Sequence, residues 1–293
     1  MKRSLSVLLT VIFASLLIVT CTACINKKQS GELKTETYEV TGATSFKIEH
    51  VSLKKDGFGT GPTVEFVNDG GDPSVTVTMQ ESLFKYVKLD QKNNAITFSG
   101  NRLYTYETDY DVTLTVKNCV FNDIRLSGAT KGTADSGCIG ENFSLDLSGA
   151  SSFRTGSLAL KNFDLEASGA SSVVFESIVC PSVKIDLSGA SFFSATEIDA
   201  TDIDADESGA SSVSISGGVA TKASVKCSGA SSFKAQELVT NETKVKLSGA
   251  SSVYVCVNSS LTGRASGASD VYYKGEAQVS VDTSGSSQVH KIS

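Results

Sequence analysis

The amino-acid sequence predicts an all-β chain, most of it wound as a β-solenoid of about 20 residues per turn behind a β-rich N-terminal cap. Three observations predict this. First, glycine recurs at Gly128, Gly149, Gly169, Gly189, Gly209, Gly229, Gly249, Gly267 and Gly285, with steps of 21, then five of 20, then two of 18. A period held over nine copies means one structural unit repeated, each turn burying its apolar face on its neighbours. Second, apolar and polar residues alternate strictly around each glycine, the period of a strand with one buried face. Third, the 293 residues include no Trp, three Pro and 25 Gly, and Val, Ile, Thr and Phe recur in short runs, a composition that favours strands.

At the N-terminus, Lys2 and Arg3 precede an apolar stretch from Leu5 to Val19, which reads as an export leader too short to span a bilayer. Cys21 and Cys24 sit where cleavage would fall. Ala23 is the small residue a signal peptidase requires, so residues 1–23 are expected to be a lipoprotein signal peptide and Cys24 the acylated first residue. A plain secretory leader is the alternative. The polar stretch 24–36 is expected to be a flexible tether. The formal net charge is −6, about −8 once Lys2 and Arg3 are removed, which excludes nucleic acid as a partner.

Residues 37–119 lack the glycine motif but contain alternating runs at 45–50, 64–67, 74–79, 86–89, 95–98 and 110–116. They predict a cap over the first turn of the coil.

Residues 120–293 form the repeat. Positions six, four and two before each glycine, such as Phe143, Leu145 and Leu147 or Val183, Ile185 and Leu187, are expected to point inward. So is the fourth residue after it, Phe153, Val173, Phe193, Val213, Phe233, Val253, Val271 and Val289 in turn. Leu158, Ile178, Ile198 and Leu238 make a third inward column. The Ser-Gly-Ala-Ser element between the first two strands suits a crowded corner. Glycine takes positive φ there, and a serine hydroxyl either closes the corner on its own backbone or stacks on the next turn. An exposed serine array matching a glycan or ice is the functional alternative, although a corner is not the flat face that ice requires. The last strand edge is expected to pair with another copy or a partner.

The residues LSGASSF at 147–153, ASGASSV at 167–173 and LSGASSV at 247–253 resemble the head GIN domain family of auto-transporter adhesins, over roughly residues 40–290. The resemblance implies a right-handed parallel β-helix, a surface location and a role in adhesion, and it carries over no catalytic residue. The chain departs from the family pattern by using Ala where a second Gly is frequent.

Chemistry is sparse. His50 and His290 are the two histidines, too few for a Ser-His-Asp arrangement or a His-rich metal site. No cofactor is expected, and unactivated serines are poor nucleophiles. The third residue before each glycine runs Asp146, Glu166, Asp186, Asp206, then Lys226, Lys246 and Arg264. These predict an outward column in which like charges sit about 4.8 Å apart, the candidate interaction surface. Asp199, Asp202, Asp204, Asp206 and Glu207 form the densest acidic patch, and Asp202, Asp204 and Asp206 are the weak candidate for a calcium ion. Beyond Cys24 the exported part has five cysteines. Cys119 and Cys138, one turn apart, are candidates for a disulfide if close enough, and Cys227 falls in an inward column.

The expectation is a non-enzymatic, lipid-anchored envelope protein, an adhesin or scaffold held to a membrane by its N-terminal lipid and binding a surface glycan or protein. A polysaccharide-lyase-like enzyme and a structural stalk are the rivals. The enzyme rests on fold analogy alone, and evenly spaced turns leave no room for the loops that wall a catalytic groove.

Overall fold

A computed structural model describes residues 25–293. The expected leader 1–23 and Cys24 lie outside the described residues. From residue 121 onward the chain is a parallel β-helix. Strands at Phe121–Leu126, Ile139–Leu147, Asn162–Ala167 and their successors pair in parallel on one face, and those beginning at Lys131, Ser152, Ser172 and onward pair on the next. The register Phe143↔Phe163↔Val183↔Ile203 advances by one repeat per turn, so the sequence period is the structural period.

The corner follows from sterics. Gly149, Gly169, Gly189 and Gly209 have φ of 77°, 76°, 71° and 76°, a region costly to residues with a Cβ. The Ala that follows donates its N–H to the corner glycine carbonyl of the preceding turn at 2.6–2.8 Å, so the ladder continues through the bend. The second serine is buried and donates its hydroxyl to the carbonyl three residues earlier, as in Ser151 Oγ to Ser148 O at 2.8 Å and Ser171 Oγ to Ser168 O at 2.7 Å. Of the two roles open to serine, closing its own corner is the one adopted around the coil.

The three inward columns are buried up to Val271, and Val289 in the last turn is half-buried. Phe153, Val173, Phe193, Val213, Phe233 and Val253 stack along one, and Leu158, Ile178, Ile198 and Leu238 along another. Burying each such side chain is worth about 1.5–3 kcal/mol. Phe143 and Phe163 stack at 6.0 Å, and Phe175 meets Phe193 edge-on at 6.0 Å.

The cap is built differently. Its strands are β1 (Ile25–Lys28), β2 (Leu33–Glu39), β3 (Ser45–Glu49), β4 (Leu53–Lys55), β5 (Phe58–Thr60), β6 (Thr63–Val67), β7 (Ser74–Gln80), β8 (Lys88–Lys92), β9 (Ala95–Ser99), β10 (Tyr104–Glu107) and β11 (Thr113–Lys117). β3 lies parallel between β9 and the strand Phe121–Leu126, and β6 lies parallel between β11 and Lys131–Ala134. The rung formed first in the chain is thus sandwiched between two later ones. β8 runs antiparallel to β9, β7 to β11 and β2 to β7, covering the edges of the outermost rung. A four-stranded sheet in the order β1, β10, β4, β5 makes a third face.

Two expectations need correction. Residues 25–36 are not a flexible tether. β1 pairs with β10, and β2 pairs with β7 through Thr35–Thr78 and Thr37–Thr76 hydroxyl contacts of 2.9 and 3.0 Å. Their polar composition reflects a solvated strand face rather than disorder. Cys119 and Cys138 are free thiols, both buried, as are Cys180 and Cys227; burial pushes the thiol of Cys138 up to about 11.

Candidate functional site

Because each turn repeats the one before, residues three before the corner glycine share one outward line. The register Arg125↔Asp146↔Glu166↔Asp186↔Asp206↔Lys226↔Lys246↔Arg264 is continuous. The four carboxylates expected in one column are therefore together, bounded by a cation at each end. They line a shallow groove of about 330 Å³, whose other wall carries Ser168, Ser188 and Ser208. These serines immediately precede the corner glycines and are half-buried.

Stacked carboxylates repel one another, and a lysine on the next line and the one that ends the column relieve part of this. Lys184 Nζ lies 2.6 Å from Asp186 and 3.4 Å from Asp164, and the Asp186 carboxylate holds the Lys184 ammonium above its ordinary pKa. Lys226 reaches Asp204 at 3.6 Å and Asp206 at 3.8 Å. Asp146 and Glu166 make no ion pair among the described residues, which leaves the N-terminal half of the groove with the least compensated negative charge.

Asp202, Asp204 and Asp206 lie on one exposed strand face. Strand geometry holds alternate side chains roughly 6.5–7 Å apart, and among the described residues no three His, Cys, Asp or Glu side chains converge to hold a metal ion.

Glu207 does not belong to the acidic patch. It occupies the inward column between Leu187 and Cys227 and is 0% exposed. Its Oε1 accepts a weak hydrogen bond from Cys227 Sγ at 3.8 Å, and its Oε2 has no partner. Burial pushes its carboxyl up to about 8, because an unpaired buried charge is poorly solvated. The signal was present in the sequence: Glu207 stands two before Gly209, the position of Leu147 and Leu187.

A second cleft, where the cap meets the coil, has no counterpart in the repeat pattern. It measures about 670 Å³ and lies between the β4–β5 hairpin and the corners at Gly128 and Gly149, with His50, Arg102 and Tyr104 on its walls. His50, given no role by the sequence, lies in this cleft; His290 stacks on Tyr272 at 4.9 Å, far along the coil.

The family model described as "Putative auto-transporter adhesin, head GIN domain" matches residues 59–216 and again 171–277. No curated protein matches the chain. Among solved structures, a "putative adhesin" from Parabacteroides merdae superposes with a TM-score of 0.61 at 15% identity, covering 92% of this chain and 99% of its own. A second "putative adhesin", from Parabacteroides distasonis, gives 0.55 at 16% identity over 92% and 100%. A "putative lipid binding protein" from the same species gives 0.55 at 13% identity over 92% and 100%. At these identities the likeness is one of fold. With its repeats matched by the family model across most of its length, the chain belongs to the head GIN domain family.

Proposed function

We propose that this chain is a non-enzymatic adhesin or scaffold module, exported to the cell envelope and held there by a lipid on Cys24, that binds through the outer face of its coil. The observation that carries the reading is the in-register stack of Asp146, Glu166, Asp186 and Asp206 in one groove beside a row of serine hydroxyls. A ladder of identical groups at about 4.8 Å intervals suits an extended polymer lying along the axis, either a hydroxyl-rich glycan or a basic protein segment. Membership in a family described as adhesins supports the same reading.

An acid-lined groove is also what a lyase of this fold would need, so that rival has a specific observation in its favour. A lyase requires a base poised to take a proton. The groove's nearest amine, Lys184, is instead held protonated by Asp186 and Asp164.

The test is an array of glycans and matrix proteins probed with residues 25–293, in wild-type form and as the Asp186→Lys/Asp206→Lys double variant. Asp206 is exposed and Asp186 is half-buried with its side chain facing outward, so circular dichroism should be unchanged. Binding of the captured ligand should fall at least tenfold, and equal binding by the two forms removes the acidic column as the interaction surface. Release of unsaturated uronates from acidic polysaccharides would replace the adhesin reading with the lyase.

A further inference from the structure

The cleft at the junction of cap and coil has features that no repeat of the coil shares. Its walls come from three separate parts of the chain. β3 ends at Glu49 and turns through His50 into β4, the segment before β10 brings Arg102 and the start of β10 brings Tyr104, and the first two corners supply a floor that includes the glycine backbone at Gly128 and Gly149. Ser127, Ala129 and Ser148 flank these glycines on the floor, so its side chains are small and a ligand can approach the main chain closely. A smaller hollow of about 460 Å³ continues from it, sharing His50 and Arg102 and adding Tyr86 and Lys88.

His50 has a φ of 58°. The other non-glycine residues with positive φ are Asp56, Asn93 and Asn118; histidine, like Asn and Asp, is a type enriched in this region, and the turn at His50 is held in place by a neighbouring segment. The holding contact is visible: Gly100 donates its N–H to Glu49 O at 3.1 Å, and a Cβ at Gly100 would come within 2.6 Å of His50 O.

The polar groups of the cleft are unspent. Arg102, Lys88 and His50 make no ion pair and no side-chain hydrogen bond among the described residues, and the exposed Glu49 is the one carboxylate residue on the walls. Beside them Tyr86, Tyr104 and Tyr106 pack together, with centroids 6.0–6.4 Å apart, and Lys27 Nζ lies 5.1 Å from the Tyr104 ring. An uncommitted guanidinium offers a planar fork matched to a carboxylate or sulfate. A tyrosine ring offers a flat apolar face for the C–H surface of a sugar ring. Together they specify a ligand carrying both.

We infer that this cleft binds an acidic saccharide, with Arg102 taking its carboxylate or sulfate group and Tyr104 packing against its ring. The site is independent of the acidic column, which would repel such a ligand.

The experiment is calorimetric titration of residues 25–293 with a galacturonate tetramer, a sulfated heparin tetrasaccharide, a neutral maltotetraose and inorganic sulfate. At least one acidic tetrasaccharide should bind tenfold or more tighter than maltotetraose, and the two acidic arms distinguish carboxylate from sulfate. Arg102→Ala, at an exposed and unpaired position, should weaken it at least tenfold, while Arg154→Ala on the coil and Asp186→Lys/Asp206→Lys should not weaken it. Equal affinity for acidic and neutral tetrasaccharides, a wild-type response from Arg102→Ala, or no binding of either acidic tetrasaccharide at millimolar concentration overturns the proposal. Binding of sulfate as tight as that of the tetrasaccharides would reduce the site to an anion hole and overturn it equally. Equal array binding by wild type and the Asp186→Lys/Asp206→Lys variant, with cleft binding intact, would fault the proposed function alone.

Discussion

Replacing Glu207 with leucine should stabilise the protein at neutral and alkaline pH and remove most of the pH dependence of its unfolding. Glu207 sits in a column otherwise filled by Leu147, Ala167, Leu187, Cys227 and Leu247, so leucine restores the local pattern at a similar volume. The carboxyl is pushed up to about 8 in the folded chain, against an ordinary value of 4.5. Below pH 4.5 it is protonated in both folded and unfolded states, and the fold keeps its full stability. Between 4.5 and 8 the unfolded chain ionises while the folded chain holds its proton, so stability falls by about 1.4 kcal/mol per pH unit. Above 8 both are ionised and the loss, several kcal/mol in all, levels off. Thermal melts across pH 4 to 9 should show wild type losing Tm through this window. Glu207→Leu should stay nearly flat and melt roughly 5–10 °C higher at pH 8.5. A parallel decline in both proteins would mean that another group is responsible.

The opposite effect is expected at the corners. Gly189 has a φ of 71°, and a Cβ on it would lie 2.5 Å from Gly169 O and 3.1 Å from Gly169 N. Those are backbone atoms of the preceding turn, and that carbonyl already accepts the Ala190 N–H at 2.7 Å. Neither side can yield without opening the ladder. Gly189→Ala should therefore cost about 3 kcal/mol or more, combining the left-handed penalty with the backbone clash. Hydrogen exchange should accelerate in the turns around residues 170–210, since each repeat leans chiefly on its neighbours. Gly156→Ala is the control: its added Cβ would make ordinary contact with Glu176 Oε2 at 3.5 Å, in a strand conformation that alanine accepts. Similar denaturation midpoints for the two variants would refute the account of the corner.

The regular part of the molecule was legible in the sequence because one rule generates it. A period of 20 with strict alternation assigns every residue to an inward or outward column, and the structure puts Phe153 to Val253 and Asp146 to Asp206 where that rule predicts. Composition puts Glu207 among the acidic residues, but parity decides which way it faces. Residues 202, 204 and 206 face out, so 207 faces in whatever its charge. The cap could not be read the same way. Its alternating runs mark strands, but their stacking order is set by pairing across the chain, and nothing local says that β3 lies between β9 and Phe121–Leu126. The strands β1 and β2 look like a tether in sequence because an exposed strand edge and a flexible linker draw on the same polar residues. The junction cleft depends on that rung order, so it was hidden with it.

The corner ladder also governs how such a molecule can change in length over generations. Every corner from Gly149 to Gly229 is bonded to its neighbours in the same way, so excising one whole 20-residue unit rejoins like to like. The rod shortens by about 4.8 Å, and each column keeps its face. Excising 19 residues instead would turn the next strand over, presenting its valines and phenylalanines to water and its carboxylates to the core. Variation in reach among descendants of this chain should therefore come in whole turns, with the cap unchanged and the charged groove lengthened or trimmed one carboxylate at a time.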